Sequence, residues 1–259
     1  MKSSPILVGR WMLGAGVIGG LALVGCGGPK PGTPEAEAQV AKRSAAPVRA
    51  EMTGTFALDE KTQSQLFPHT IGSQWTYETE SSQTVANRPP ESRKGEITLR
   101  IDAARTEGAS TRFQIATVTG GKKVDEQSWM IDKTGIYQVA VSAKNKPFTP
   151  PQPVVRFPLK PGGTFTWKGT SPTATDKRLD GILEGSIIGI QPVDTDLGST
   201  TALFVESALA ATLPDKKKTL TVTDTFLRPG IGIVRYQQTI RGQTFQSVIQ
   251  FRLKEYTIK

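Results

Sequence analysis

Ile97-Thr98-Leu99-Arg100-Ile101-Asp102 sets an aliphatic residue at every second place. Such alternation arises when a strand buries one face and wets the other, because successive side chains leave a strand on opposite sides. The same period two runs through Phe113 and Ile115, through Tyr137, Val139 and Val141, through Leu220 and Val222, and through Phe245, Ile249, Phe251 and Leu253. Turn chemistry separates these runs at Glu107-Gly108, Gly120-Gly121, Asp132-Lys133-Thr134-Gly135, Pro229-Gly230 and Arg241-Gly242. The pattern predicts a mainly β chain of about ten or eleven short strands. They follow one another as an antiparallel meander in a curved sheet, either an incomplete barrel or a sandwich. Ala208 to Ala211 is the best candidate for a helix, and it is short.

Two stretches share a signature. Residues 67–77 read FPHTIGSQWTY and residues 157–167 read FPLKPGGTFTW, both with Phe-Pro, a glycine five places on, and aromatic-Thr-aromatic at the end. Proline sets an extended approach, Gly72 or Gly162 permits the turn, and Trp75 with Tyr77, or Phe165 with Trp167, places two aromatics on one sheet face. The repeat marks either two related halves or one local solution used twice.

The amino-terminal part differs in kind. Lys2 and Arg10 flank an apolar run, Trp11 to Val24, which is followed by small residues and by Cys26, the only cysteine in 259 residues. That is a secretory signal layout, and the run falls short of the roughly 20 residues that cross a bilayer. Leu23-Val24-Gly25-Cys26 resembles the bacterial lipobox. The resemblance implies cleavage before Cys26, a diacylglyceryl group on its thiol and acylation of the new amino terminus. At about 0.8 kcal/mol per buried CH₂, two or three acyl chains hold a protein permanently on a bilayer where one does not. From Gly27 the chain is rich in Pro, Gly, Ala and charge and has no aromatic residue up to Met52, the composition of a tether. The expected organisation is a signal peptide over 1–25, a lipidated cysteine and flexible linker over 26–65, and a β-rich domain over 66–259. A flexible linker of about 40 residues reaches roughly 35 Å.

The FPxxxGxxWxY segment, the second aromatic-rich FPLxxG segment and Pro229-Gly230-Ile231-Gly232-Ile233-Val234 together resemble a set of bacterial envelope lipoproteins of uncharacterised function. Those in turn are distantly similar to the lipoprotein-carrier fold (LolA/LolB-like), an incomplete β-barrel that shields acyl chains under short helices. The resemblance implies a similar sheet here. The sequence departs from that fold in lacking a helical lid pattern.

Catalytic chemistry finds little to use. His69 is the one histidine; it sits in the Phe67-Pro68 turn and reads as a turn-bonded imidazole. A G-x-S-x-G elbow and a serine with lysine three places on are both missing, and one histidine does not furnish a zinc cluster. Asp194-Thr195-Asp196 lacks the rest of a calcium loop and reads as a hydrated turn. Gly230-Ile231-Gly232 precedes a strand where a dinucleotide loop would precede a helix. Lys122-Lys123 and Lys216-Lys217-Lys218 suit strand edges that resist aggregation. Without residues 1–25, 30 basic residues against 23 acidic ones leave a net charge of +7, scattered along the chain.

The sequence therefore predicts a protein without catalytic residues, cofactor, metal site or nucleic-acid partner. It is expected to be exported and lipid-anchored in the cell envelope. That means the outer membrane facing the periplasm in a diderm cell, and otherwise the outer face of the cytoplasmic membrane. Trp75, Tyr77, Trp129, Phe165 and Trp167 are the candidate aromatic face for a hydrophobic ligand or lipid. An envelope protein partner is the companion expectation. The alternatives are an interaction protein with a filled core and, third, a carboxylate-dependent hydrolase.

Overall fold

The computed structural model describes residues 11–12, 17–18, 54–141, 146–172, 178–212 and 218–259. Cys26, most of the linker and Lys216-Lys217 lie outside the described residues. Within the amino-terminal region only a two-residue ladder is described, Trp11–Met12 against Val17–Ile18.

From Gln74 onward the chain forms twelve strands in one closed barrel. In order these are β1 (Gln74–Val85), β2 (Glu91–Glu107), β3 (Ser110–Thr119), β4 (Lys122–Asp132), β5 (Gly135–Val141) and β6 (Lys146–Arg156). The second half comprises β7 (Thr164–Pro172), β8 (Arg178–Thr195), β9 (Gly198–Thr212), β10 (Lys218–Arg228), β11 (Gly232–Arg241) and β12 (Phe245–Thr257). Each strand pairs antiparallel with the next, and β12 pairs with β1 to close the ring. Ala208 to Ala211 belong to β9, with Leu209 and Ala211 buried, because their residues pair across to both β8 and β10. The helical expectation there is overturned by the ladder.

One strand that the alternation does not announce is β6, KPFTPPQPVVR. Proline has no N–H to give a ladder, which hides such a strand from sequence reading and also weakens it. β6 holds β5 over several pairs, yet meets β7 at one, Thr149 with Thr170. This seam is bridged instead by Trp167 Nε1–H donating to Pro150 O at 3.1 Å.

The shared signature of 67–77 and 157–167 extends into three dimensions. Gly72 N–H donates to Ile101 O, and Ile101 N–H to Ser73 O, each at 2.9 Å; Gly162 and Gly163 bracket Ile187 in the same way at 2.7 and 2.8 Å. A β-bulge follows each isoleucine, at Ile101/Ala103 and at Ile187/Gly189. The barrel is thus built of two six-strand halves, β1–β6 and β7–β12, that start with the same turn.

Strand number sets lumen width. About eight strands make a barrel that side chains just fill, so twelve in a round section would leave an open lumen. Here the interior is closed by large side chains and by the segment before β1. That segment carries α1 (Glu60–Gln65), capped where the Asp59 carboxylate accepts Thr62 N–H at 2.8 Å. This hydrogen bond holds the Asp59 carboxyl below its usual pKa. The folded body therefore takes in residues 54–65, which the expected organisation counts with the linker. Gly230 N–H donates to Gln65 O at 2.8 Å. The Arg228 guanidinium donates to Thr201 O at 2.8 Å and to Gly54 O at 3.4 Å, and lies over the Phe56 ring. Leu66 and Phe67 are then driven into the barrel mouth, 0% and 3% exposed.

Candidate functional site

Phe67 is the centre of an aromatic cluster. Its ring lies 5.5 Å from Trp75, 5.5 Å from Phe113 and 5.4 Å from Trp129, within the range of favourable ring packing. Trp75 Nε1–H donates to Ile231 O at 2.5 Å and Tyr77 O–H to Ile233 O at 2.8 Å, tying β1 to the turn before β11 and to its start. The glycine-rich Gly230-Ile231-Gly232 is accordingly a turn, and both glycines have positive φ. His69 Nδ1–H donates to Phe67 O at 3.2 Å, the turn bond its position suggests.

Of the predicted aromatic face, Trp75, Tyr77, Trp129, Phe165 and Trp167 all point inward and are buried. They do not meet at one place. Tyr77 and Trp129 line a central cavity, whereas Trp75, Phe165 and Trp167 belong to the same core without lining it. Phe165 lies over Gly185, and Trp167 lies against Gly169 with Phe148 edge-on.

The cavity measures ≈ 60 Å³. Its walls are mostly apolar, with Leu99, Ile115, Leu183 and Ile233 among them, but three consecutive strands add amides: Gln127 on β4, Gln138 on β5 and Gln152 on β6. Gln127 Oε1 accepts Trp129 Nε1–H at 3.0 Å and Gln138 Nε2–H at 2.9 Å. Gln152 stands directly across the ladder from Gln138 and is 2% exposed. Neither its Nε2 nor its Oε1 meets a protein partner. On the far wall, Tyr236 O accepts Gln238 Nε2–H at 2.9 Å, and Ser207, Thr223 and Thr225 add hydroxyls. Burial raises the Tyr77 and Tyr236 pKa values well beyond the ordinary phenol range.

Sequence reasoning missed these glutamines. Gln127 was within reach, since Trp129 two places on faces inward and period two sends Gln127 the same way. Gln152, lodged among prolines, gave no such signal.

β10 turns the expected alternation inside out. Thr219, Thr221 and Thr225 are buried, while Leu220 is 38% exposed. The inner phase is fixed by Leu227 and by the β9 register, in which Leu209 faces Thr221. Outside, Ile182, Ala210 and Leu220 lie side by side across β8, β9 and β10, and Ala208 pairs with Val222. Lower on the same face the carboxylates Glu206 and Asp224 are direct partners, and Phe204 stacks on Phe226 at 4.6 Å. Burial first, and then Glu206, raise the Asp224 pKa. Elsewhere the outer wall is charged: Arg252 pairs with Glu78 and Asp196, Lys254 with Glu96, and Asp102 with Arg100 and Lys123. The remaining sequence candidates fall into that wall. Asp194 accepts Ser199 Oγ–H at 2.5 Å, and Lys123 at the β3–β4 hairpin joins Asp102 and Glu126.

No family model matches the sequence, and no curated protein matches it. Among solved structures the chain is similar to a protein of Parabacteroides distasonis classed as a lipoprotein: 13% identity over 74% of this chain and 98% of that one, TM-score 0.45. It is also similar to a protein of Bacteroides fragilis classed as exported, with a YmcC-like fold, at 15% identity over 74% and 98%, TM-score 0.43. A third is the hypothetical lipoprotein YmcC of Escherichia coli, at 9% identity over 86% and 96%, TM-score 0.32.

Proposed function

We propose that this protein is a lipid-tethered, non-catalytic envelope protein whose barrel works as an interaction body, binding a protein partner on its outer wall. The observation that carries this is how little room the cavity found among the described residues leaves. A space of ≈ 60 Å³ is small beside the roughly 300 Å³ at which ligand pockets begin, so an acyl chain has no room unless Phe67 withdraws. Support for the outer wall comes from Ile182 and Leu220, both exposed, on the face that also carries the stacked Phe204 and Phe226. Glu206 and Asp224 stand on this face with Arg235 over the Phe226 ring, so a partner that brings polar groups of both signs with its apolar side chains suits it. Anchorage through Cys26 and export to the envelope rest on the lipobox resemblance.

A photo-crosslinking residue at position 182, introduced in cells, tests the reading. We expect a discrete adduct with a protein, lost when Leu220 is also replaced by Lys. The Leu220→Lys barrel should keep its stability within about 0.5 kcal/mol, as surface changes do. Adducts with lipid alone, or a protein adduct indifferent to Leu220→Lys, would overturn it.

A further inference from the structure

We propose that the central cavity is a binding site for small uncharged molecules that donate and accept hydrogen bonds together, with Gln152 as the recognising group. Gln152 offers an amide donor and a carbonyl acceptor side by side, both buried and without a protein partner. A buried amide in that state is costly unless something meets it. What meets it is neutral, because no residue lining the cavity carries a charge and burying an ion there would go uncompensated. Size narrows the class further. A space of ≈ 60 Å³ takes a few water molecules or one primary amide of acetamide's bulk, and no drug-sized ligand. Leu99, Ile115 and Leu183 supply an apolar wall for its methyl group.

The route in is the β6–β7 seam. Gln152, Pro153 and Val154 of β6 line the cavity, and they stand where the ladder to β7 is missing beyond the single Thr149–Thr170 pair. Proline at 150, 151 and 153 keeps that edge from zipping shut. Water and a primary amide share the same donor-acceptor chemistry, and the experiment separates them.

The side-chain amide signals of Gln152 are followed by NMR in the folded protein during titration with acetamide, and separately with acetate, which has the same shape and a charge. We expect cross-peaks from Gln152 to water, a saturable shift with acetamide, and at least tenfold weaker binding of acetate. In Gln152→Met the acetamide response elsewhere in the cavity, read at Trp129 Nε1–H, should also weaken at least tenfold. If that variant does not fold, the acetamide and acetate comparison in the native protein decides. Water cross-peaks without an acetamide shift assign the site to water and uphold the class. Absence of both, or equal binding of acetate, overturns the proposal.

Discussion

Phe165 of β7 faces Gly185 of β8 across the ladder, and its ring occupies the place where a side chain at 185 would begin. A Cβ there would fall far inside contact distance of the ring. Gly185→Ala should therefore overpack the wall and lower stability by about 1–3 kcal/mol. Phe165→Leu in the same chain should return part of that loss. Denaturant unfolding of the double-mutant cycle measures the coupling.

Phe67, with Leu66, is core supplied by the segment before the barrel. Phe67→Ala should cost about 3–5 kcal/mol, the usual range for removing a buried aromatic. The vacated ring volume would join the existing cavity, and an apolar hole of about 150 Å³ takes benzene. Saturable benzene binding by Phe67→Ala, with none by the native protein, checks this.

Alkaline pH should unfold the barrel. Tyr77 and Tyr236 have folded pKa values raised by burial above the ordinary value near 10. Stability from this source is whole below about pH 10 and falls as pH climbs past it, since only the unfolded chain ionises there. The expected slope averages about 1 kcal/mol per pH unit for each tyrosine between about pH 10 and 11 and approaches about 1.4 above that. Tyr236→Phe should halve it in urea unfolding between about pH 10 and 11.

The seam should be the softest part of the ring. Backbone amides of β7 that face β6 should exchange with solvent faster than those of β8 and β9, which are paired on both sides. Hydrogen exchange followed by mass spectrometry, resolved to β7 peptides, reads the difference. Equal protection across β7, β8 and β9 would be the contrary result.

How far the structure was legible depended on what local pattern can carry. Ile97 to Asp102 announced a strand, and Leu99 and Ile101 are buried as expected. The turns at Gly120-Gly121 and Pro229-Gly230 were readable for the same reason, since glycine and proline act through their own backbone. Tyr137 and Val141 looked like one face, yet a bulge at Gln138/Ala140 intervenes, so Gln138 lines the cavity and the Tyr137 ring meets Arg156 outside. Leu220 and Val222 failed likewise, because the barrel register decided which face looked inward. Ring closure, the Arg228 clamp on Gly54 and the pairing of Gln138 with Gln152 join residues far apart in sequence or hidden among prolines. Period two has no means of reporting them. The repeated turn at Gly72 and Gly162 was visible, and in the structure it makes matching hydrogen bonds to Ile101 and Ile187.

The mass of the intact protein, extracted from bacterial membranes in mild detergent and measured under native conditions, bears most directly on a tethered barrel with a filled interior. We expect a chain beginning at Cys26, heavier by covalently attached acyl groups, with no further lipid held. A chain that retains residues 1–25 without acylation, or one that carries a stoichiometric non-covalent lipid, would contradict it.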